Sequence, residues 1–294
     1  MKINLSRFFQ SPVNIFVFKH LGPAVARWYI QALGMLYYLF NRKERRIIET
    51  NIRDCLAGRG ERHVRKVVRE TFKGIFTHYF EKIFSAFLEY DTVQEYVKRH
   101  SRIEGRELID RALAQGRGAI LVTAHWGAVE FIPWVLFHAG YKVSVILECQ
   151  TEQLARALQD RIQGRDVELL SSCFGASVFF KALGALKRNR ILVTQCDEVD
   201  AWRRRPGQTI TLFGQELFFD DTIDVITRRS GSPVVGVFLK RTESGTYTLI
   251  CEDVSVDARP ESTARGALQL WQKHVNENPE QWYQWKKWRK MKTA

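Results

Sequence analysis

From residue 101 onward, short apolar runs alternate with helical patterns, and this rhythm limits the folds that the chain can adopt. Ala119–Thr123 reads AILVT, a continuous run typical of a strand buried on both faces of a sheet. Similar runs occupy Val143–Leu147, Ile191–Thr194 and Pro233–Leu239, while Thr246–Cys251 alternates more and predicts an edge strand. Because helical patterns lie between these runs, we expect an α/β fold with a mostly parallel central sheet flanked by helices.

The first hundred residues read as helical throughout. Leu21–Phe40 is the most apolar window, but Arg27 and Gln31 interrupt it. A central arginine costs roughly 3 kcal/mol on membrane-insertion scales. Three structures fit the window: a helix lying in the membrane interface, a membrane-spanning helix, and an ordinary buried helix. We therefore predict an N-terminal helical, membrane-associating extension over residues 1–100, followed by an α/β core over residues 101–294 in one continuous domain.

The charge balance favours an anionic partner. Lys and Arg number 45 against 32 Asp and Glu, a net charge of +13. Nucleic acid, an anionic membrane, an acidic protein and a phosphate-bearing substrate all fit such an excess. The five cysteines are odd in number, widely spaced and without a Cys-x-x-Cys pair. They predict unpaired thiols in a reducing compartment and no zinc site.

The sharpest chemical signal is the segment Leu121–Glu130. His125 follows an apolar strand, Gly127 permits a tight turn, and Glu130 falls in the first turn of the next helix. In open α/β sheets, reactive groups gather at the carboxyl ends of strands. We interpret His125 as a general base and Glu130 as the carboxylate that orients it, with a substrate hydroxyl as the nucleophile. In the alternative, His125 is a satisfied core residue and Glu130 a solvated one.

This segment, TAHWGAVE, resembles the lipid A late acyltransferases, the lauroyl and myristoyl transferases. They belong to the glycerolipid acyltransferase superfamily, whose usual motif is His-x-x-x-x-Asp. The likeness extends from about residue 45 to the C-terminus. It includes Asn51-Ile52, Gly116-Arg117-Gly118, Ile210–Gly214 and Asn278–Lys290. Two departures stand out: Glu198 replaces the family's glutamine, and Lys286–Arg289 replaces a His-Arg-Arg-Trp sequence.

The resemblance implies an O-acyltransferase with His125 as base and Glu130 as its partner. It further implies that Arg161 binds an anionic group near the acyl donor and that Asp197 positions the substrate. The donor would be an acyl-carrier-protein or acyl-CoA thioester, and the acceptor a hydroxyl of an anionic lipid, a lipid A precursor or related glycolipid. No cofactor or metal is expected. The expected location is the cytoplasmic face of the inner membrane, either peripheral or through a single N-terminal anchor.

Two basic segments allow several interpretations. The loop Arg203, Arg204 and Arg205 suits lipid phosphates or an acidic carrier protein, or is a solvated charged loop. Near the C-terminus, Trp282, Trp285 and Trp288 alternate with Lys and Arg. Such a cluster fits a lipid headgroup interface, single-stranded nucleic acid or ordinary packing. We expect no nucleic-acid partner, because no recognised nucleic-acid motif is present.

Two other functions fit the same residues. One keeps the chemistry and changes the acceptor to a phospholipid, another glycolipid or an amino-acid lipid. The other is a basic membrane-binding protein with an inactive site, for which changes at His125 or Glu130 leave vesicle binding unaltered.

Overall fold

The computed structural model of the protein describes residues 8–20, 22–56, 58–147, 152–171, 177–254 and 262–292. Its N-terminal helices are α1 (Pro12–His20), α2 (Gly22–Phe40), α3 (Arg42–Cys55), α4 (Glu61–Phe87) and α5 (Tyr90–His100). The later helices are α6 (Arg106–Leu113), α7 (Ile132–His138), α8 (Glu152–Ile162), α9 (Val178–Lys187), α10 (Thr222–Ser230) and α11 (Thr263–Glu277).

The strands form one large sheet and one hairpin. The sheet strands are β1 (Ser101–Glu104), β2 (Ala119–Thr123), β3 (Val143–Ile146), β4 (Val167–Leu170), β5 (Ile191–Gln195), β8 (Val234–Arg241) and β9 (Tyr247–Asp253). Their order is β1-β9-β8-β2-β5-β3-β4, and β6 (Thr209–Leu212) pairs with β7 (Gln215–Phe218). Only the β8–β9 pairing in the large sheet is antiparallel, so the predicted mostly parallel sheet with flanking helices is confirmed.

The predicted edge strand is not at the edge. β9 covers that segment and pairs with β8 on one side and with β1 on the other. The outer strand is Ser101–Glu104, in which half-buried and exposed residues alternate over only four positions. A strand that short and polar carries little periodic signal, which is why the sequence pattern did not predict it.

The N-terminal helices pack on the α/β core chiefly through α4, and one face of α2 packs on α4. In α2, Ala26, Ile30 and Gly34 are buried at a helical spacing. A Cβ on Gly34 would lie 2.5 Å from Cγ of Phe76, so only glycine allows α2 to approach α4 this closely. The opposite face of α2 is exposed. Among the described residues, no helix combines the length and the apolarity that crossing a bilayer requires.

The C-terminal tryptophans are core residues. Trp282, Trp285 and Trp288 are fully buried, with ring centroids 4.7 Å apart for Trp282 and Trp285. The headgroup and nucleic-acid interpretations of this cluster are therefore wrong, and ordinary packing is correct. The rings fill the space beside Trp271 of α11, while most of the intervening basic residues remain exposed or half-buried.

Candidate active site

Sheet topology brings His125 and Asp197 together although 72 positions separate them. β2 and β5 are neighbours, and Thr123 is in register with Gln195 at their carboxyl ends. His125 and Asp197 each lie two residues past these paired ends, so their side chains meet. Nδ1 of His125 lies 2.9 Å from Oδ1 of Asp197. The carboxylate that holds the imidazole is therefore Asp197.

Asp197 is enclosed by donors. Its side chain is fully buried and accepts from the backbone N–H of His125 at 3.0 Å and from Nε1 of Trp282 at 2.8 Å. Burial disfavours the carboxylate, but the His125 ring and these donors outweigh that effect and hold the pKa of Asp197 below its ordinary value. A charged carboxylate at Nδ1 selects the tautomer that carries its proton there. The other ring nitrogen, Nε2, is left to accept a proton from substrate.

A second carboxylate lies at the other side of the ring. Oε2 of Glu198 is 3.4 Å from Nε2 of His125, and Oε1 of Glu198 is 3.3 Å from Nζ of Lys287. Burial opposes the charged imidazolium, yet Asp197 and Glu198 outweigh it and raise the pKa of His125. The imidazole is thus flanked by two acidic groups.

Glu130 does not contact this ring in the way that the sequence predicted. It belongs to a short 3₁₀ helix, Val129–Phe131, and its Oε1 lies 3.6 Å from Nε2 of His78 and 4.0 Å from Nζ of Lys82. The 3₁₀ turn directs the carboxylate towards α4 rather than back to the tip of β2. The predicted His125–Glu130 pairing is corrected accordingly, and the ring's partner is Asp197. Glu130 lines the same cavity as His125.

A cavity of about 610 Å³ opens beside His125. Part of its wall is polar, with the side chains of Glu44, Gln284, Lys286 and Lys287. Another part of the wall is apolar and comes from α7, α8 and the neighbouring strands, with Trp134, Val145, Leu154, Leu158, Ile162, Val167 and Leu169. A histidine therefore faces a cleft that combines polar and hydrocarbon-compatible walls, the usual character of a lipid or small-molecule site.

The ring of Tyr283 lies between the two histidines of this cavity. It stacks on His78 at 4.1 Å between centroids and meets His125 edge-on at 5.7 Å. Three buried polar atoms on the wall have no hydrogen-bond partner within the structure: Nδ1 of His78, Oγ of Ser85 and the Tyr283 hydroxyl. Burial lowers the pKa of His78, which keeps that ring neutral. His78, Lys82 and Tyr283 were not predicted as site residues, because each sits outside the strand-tip motif.

Arg161 lies on α8, next to Ile162 of the apolar wall. Its Nε and Nη1 atoms are buried and have no hydrogen-bond partner among the described residues, and burial lowers the pKa of the guanidinium. Unpaired donors of this kind suit an anionic group. Arg161 itself is not among the cavity-lining residues that the described part of the chain provides.

The three-arginine loop borders a second cavity, of about 660 Å³, which is lined by Arg203 and Arg205 and shares Glu198 with the first. Arg205 pairs with Asp221 at 3.0 Å, the backbone of Arg203 donates to Asp220, and Arg204 donates to the Lys290 carbonyl. All three arginines are exposed. Among the described residues, Arg205 alone of the three has its guanidinium paired with an acidic side chain.

The backbone amides of the three residues that follow His125 are engaged. The N–H groups of Trp126, Gly127 and Ala128 donate to the carbonyls of Ala124, Gln281 and Leu239. A Cβ on Gly127 would lie 2.0 Å from the Leu239 carbonyl oxygen, so the turn requires glycine. These three amides are therefore not available to bind an oxyanion.

The described cysteines are unsuited to nucleophilic catalysis. Cys55, Cys196 and Cys251 are free and buried, and burial raises the pKa of the Cys196 thiol, which directly precedes Asp197. Such a thiol stays protonated. Cys149 and Cys173 lie outside the described residues.

The bacterial lipid A biosynthesis acyltransferase family model matches residues 8–290 of this sequence, nearly its whole length. The chain belongs to this family. Membership identifies the protein as an acyltransferase of lipid A biosynthesis, and the family resemblance of the TAHWGAVE segment is confirmed. No curated protein sequence matches the chain.

Proposed function

We propose that the protein transfers a fatty acyl group from an acyl-carrier-protein or acyl-CoA thioester to a hydroxyl of a lipid A precursor or related glycolipid. The observation that carries this proposal is the oriented imidazole. Asp197 fixes Nδ1 of His125, while Nε2 faces the cavity. A base held in one tautomer beside an apolar cleft suits proton removal from a hydroxyl next to a fatty acyl chain.

The reaction proceeds in two steps. The acceptor hydroxyl oxygen attacks the thioester carbonyl carbon while its proton passes to Nε2 of His125. The tetrahedral intermediate then collapses, the carbon–sulfur bond breaks, and the imidazolium returns the proton to the departing sulfur. Asp197 stabilises the transient positive charge on the ring and remains ionised throughout.

The oxyanion of the intermediate needs a positive partner. Because the amides of Trp126, Gly127 and Ala128 are occupied, a cation on the cavity wall is a good candidate. Lys82 lies on that wall with its ammonium 4.0 Å from Glu130. We assign Lys82 to the oxyanion and Glu130 to holding Lys82 and His78 in place, so that Glu130 acts on the reaction without touching the base.

The apolar wall is assigned to the acyl chain. Leu154, Leu158 and Ile162 recur at helical spacing on one face of α8 and line the cavity together. Arg161, beside this wall, is assigned to an anionic group of the donor. Arg203, Arg204 and Arg205, around the second cavity, are assigned to phosphates of the acceptor or to an acidic carrier protein.

Membrane contact is assigned to the exposed face of α1 and α2. Phe16, Trp28 and Phe40 expose 59%, 72% and 82% of their surface, and Leu36 and Leu39 lie nearby in sequence. Exposed aromatic and aliphatic side chains on an amphipathic helix suit the headgroup region, and the net charge of +13 suits an anionic leaflet. The proposed location is the cytoplasmic face of the inner membrane.

An assay with purified protein tests the function. The enzyme is incubated with an acyl thioester and a lipid A precursor, and mass spectrometry detects a gain of one acyl group. His125→Ala should lower turnover by about 10²–10⁴-fold, the usual worth of general-base help. His138→Ala, an exposed histidine at the end of α7, serves as the matched control.

Near-normal turnover by His125→Ala would contradict the mechanism. Transfer to a phospholipid or an amino-acid lipid in preference to the lipid A precursor would keep the chemistry and change the acceptor. Vesicle binding without acyl transfer to any acceptor would instead support the inactive membrane-binding protein.

A further inference from the structure

Glu198 occupies the position that a substrate hydroxyl needs. With Nδ1 of His125 committed to Asp197, only Nε2 remains to accept a proton, and Oε2 of Glu198 lies 3.4 Å from it. The Glu198 side chain is 34% exposed and lines both cavities, so it has room to move. By contrast, the fully buried Asp197 is fixed by three donors.

A second partner for Glu198 is already within reach. Nζ of Lys287 lies 3.3 Å from Oε1 of Glu198 and 2.9 Å from Asp200. Glu198 therefore sits between an imidazole and an ammonium at nearly equal distances. If the Glu198 carboxylate rotates away from the ring, it remains paired with Lys287. Nε2 can therefore become accessible to substrate without leaving the carboxylate unpaired.

We propose that Glu198 is a gate, a carboxylate that covers Nε2 of His125 in the resting enzyme and turns onto Lys287 when the acceptor hydroxyl takes its place. This inference rests on the proposed function, because it concerns the nitrogen that accepts the hydroxyl proton. Glu198 is a positioning residue in this scheme.

The charges around His125 predict the direction in which its pKa should change when Glu198 is replaced. The titratable or charged groups that face His125 from the surrounding elements are Asp197, Glu198, Lys287, His78, Tyr283 and Glu130. The acidic neighbours favour the imidazolium, while Lys287 disfavours it. Removing the Glu198 charge should therefore lower the pKa of His125. Because the base must be neutral to act, activity should then persist to lower pH.

The first test is a nuclear magnetic resonance titration of the histidines in the free enzyme, with the His125 signal assigned from its absence in His125→Asn. Glu198→Gln should lower the pKa of His125 by about one unit, the low end of the effect of a neighbouring opposite charge. Glu243→Gln, an exposed glutamate in the turn between β8 and β9, is the control and should leave it unchanged. An unchanged His125 pKa in Glu198→Gln would overturn the gate.

Kinetics then separate a gate from a permanent partner. In Glu198→Gln, the pH profile of kcat/KM, which reports the free enzyme, should move down by the same amount as the measured pKa. The profile of kcat should move less, because Glu198 has already left the ring in the substrate complex. Equal movement of both profiles would mean that Glu198 stays on His125 during turnover, and the gate would be wrong.

A double-mutant cycle tests whether Lys287 is the partner of Glu198 after Glu198 leaves the imidazole. Lys287→Met should raise the acceptor KM about 10-fold, because Glu198 then stays over Nε2 and the competent state is less populated. Adding Glu198→Gln should restore the acceptor KM, since nothing remains to be displaced. If the second change fails to rescue it, Lys287 binds substrate directly and the gate is refuted. Absence of transfer by the wild-type enzyme with every donor and acceptor would overturn the proposed function and the gate together.

Discussion

Comparison of Asp197→Asn with Glu130→Gln should show which carboxylate orients His125: Asp197, which contacts the ring, or Glu130, which the sequence predicted as its partner. Asp197 accepts three hydrogen bonds, from the backbone and Nδ1 of His125 and from Nε1 of Trp282. Hydrogen bonds to a charged group are worth about 1.5–3 kcal/mol each. Since an amide oxygen retains part of this set, we expect Asn to cost about 2–4 kcal/mol in the free energy of unfolding.

The catalytic loss should be larger than the loss of stability. An asparagine can present its N–H₂ group to Nδ1 and select the wrong tautomer, and the equivalent change in a Ser-His-Asp triad lowers kcat by about 10⁴. We expect about 10³–10⁴ for Asp197→Asn, together with a lower pKa of His125. Glu130→Gln, whose nearest cationic atom is 4.0 Å away, should lower kcat by no more than about 10-fold and leave the titration of His125 unchanged.

Steady-state kinetics across pH, histidine titration and urea unfolding measure these quantities in both variants. The difference in the free energy of unfolding between wild type and Asp197→Asn should depend on pH. The depressed pKa of Asp197 stabilises the fold above the unfolded value near 3.8, and that contribution disappears as the pH falls through the lower folded value. The reasoning is refuted if Glu130→Gln shifts the His125 titration and Asp197→Asn does not.

Three further outcomes follow from the same geometry. In the wild type, kcat/KM should rise with pH and reach half its maximum above pH 6.5, because neighbouring carboxylates raise the pKa of the base; an inflection below 6.5 would contradict this. Trp282→Phe should keep the ring packing but remove one donor to Asp197, costing about 1–2 kcal/mol in urea unfolding and less than 10-fold in kcat. Glu81→Gln should cost about 3–5 kcal/mol in thermal or urea unfolding, because it leaves Arg241 buried without its charged partner; a loss under 1 kcal/mol would count against it.

The sequence predicted the sheet well because buried parallel strands carry a strong local signal. Ala119–Thr123 has the predicted bounds in the structure. The missed elements were short: Val167–Leu170 and the hairpin strands have four residues each, too few for periodicity to distinguish a strand from a loop. The position of β9 was wrong because pairing partners depend on the whole sheet rather than on the segment itself.

The site was predicted in part. The partner of His125 was predicted wrongly because it lies far from His125 in the sequence. His125 was found because its strand, turn and glycine are contiguous. Its partner was sought five residues away, in Glu130, although the order of strands brings Asp197 closer. A signal was available: Asp197, like His125, follows an apolar strand by two residues. What the sequence lacked was the adjacency of β2 and β5, which only the assembled sheet provides.

The hydrogen bond from Trp282 to Asp197 has a consequence for how the enzyme matures. The backbone N–H of Tyr283 also donates to the carbonyl of His125, and Gly127 donates to Gln281. The loop that carries the base is thus clamped by residues that leave the ribosome more than 150 positions later. A nascent chain that already contains the base and Asp197 still lacks this clamp, so the active-site loop is complete only after Tyr283 has been synthesised.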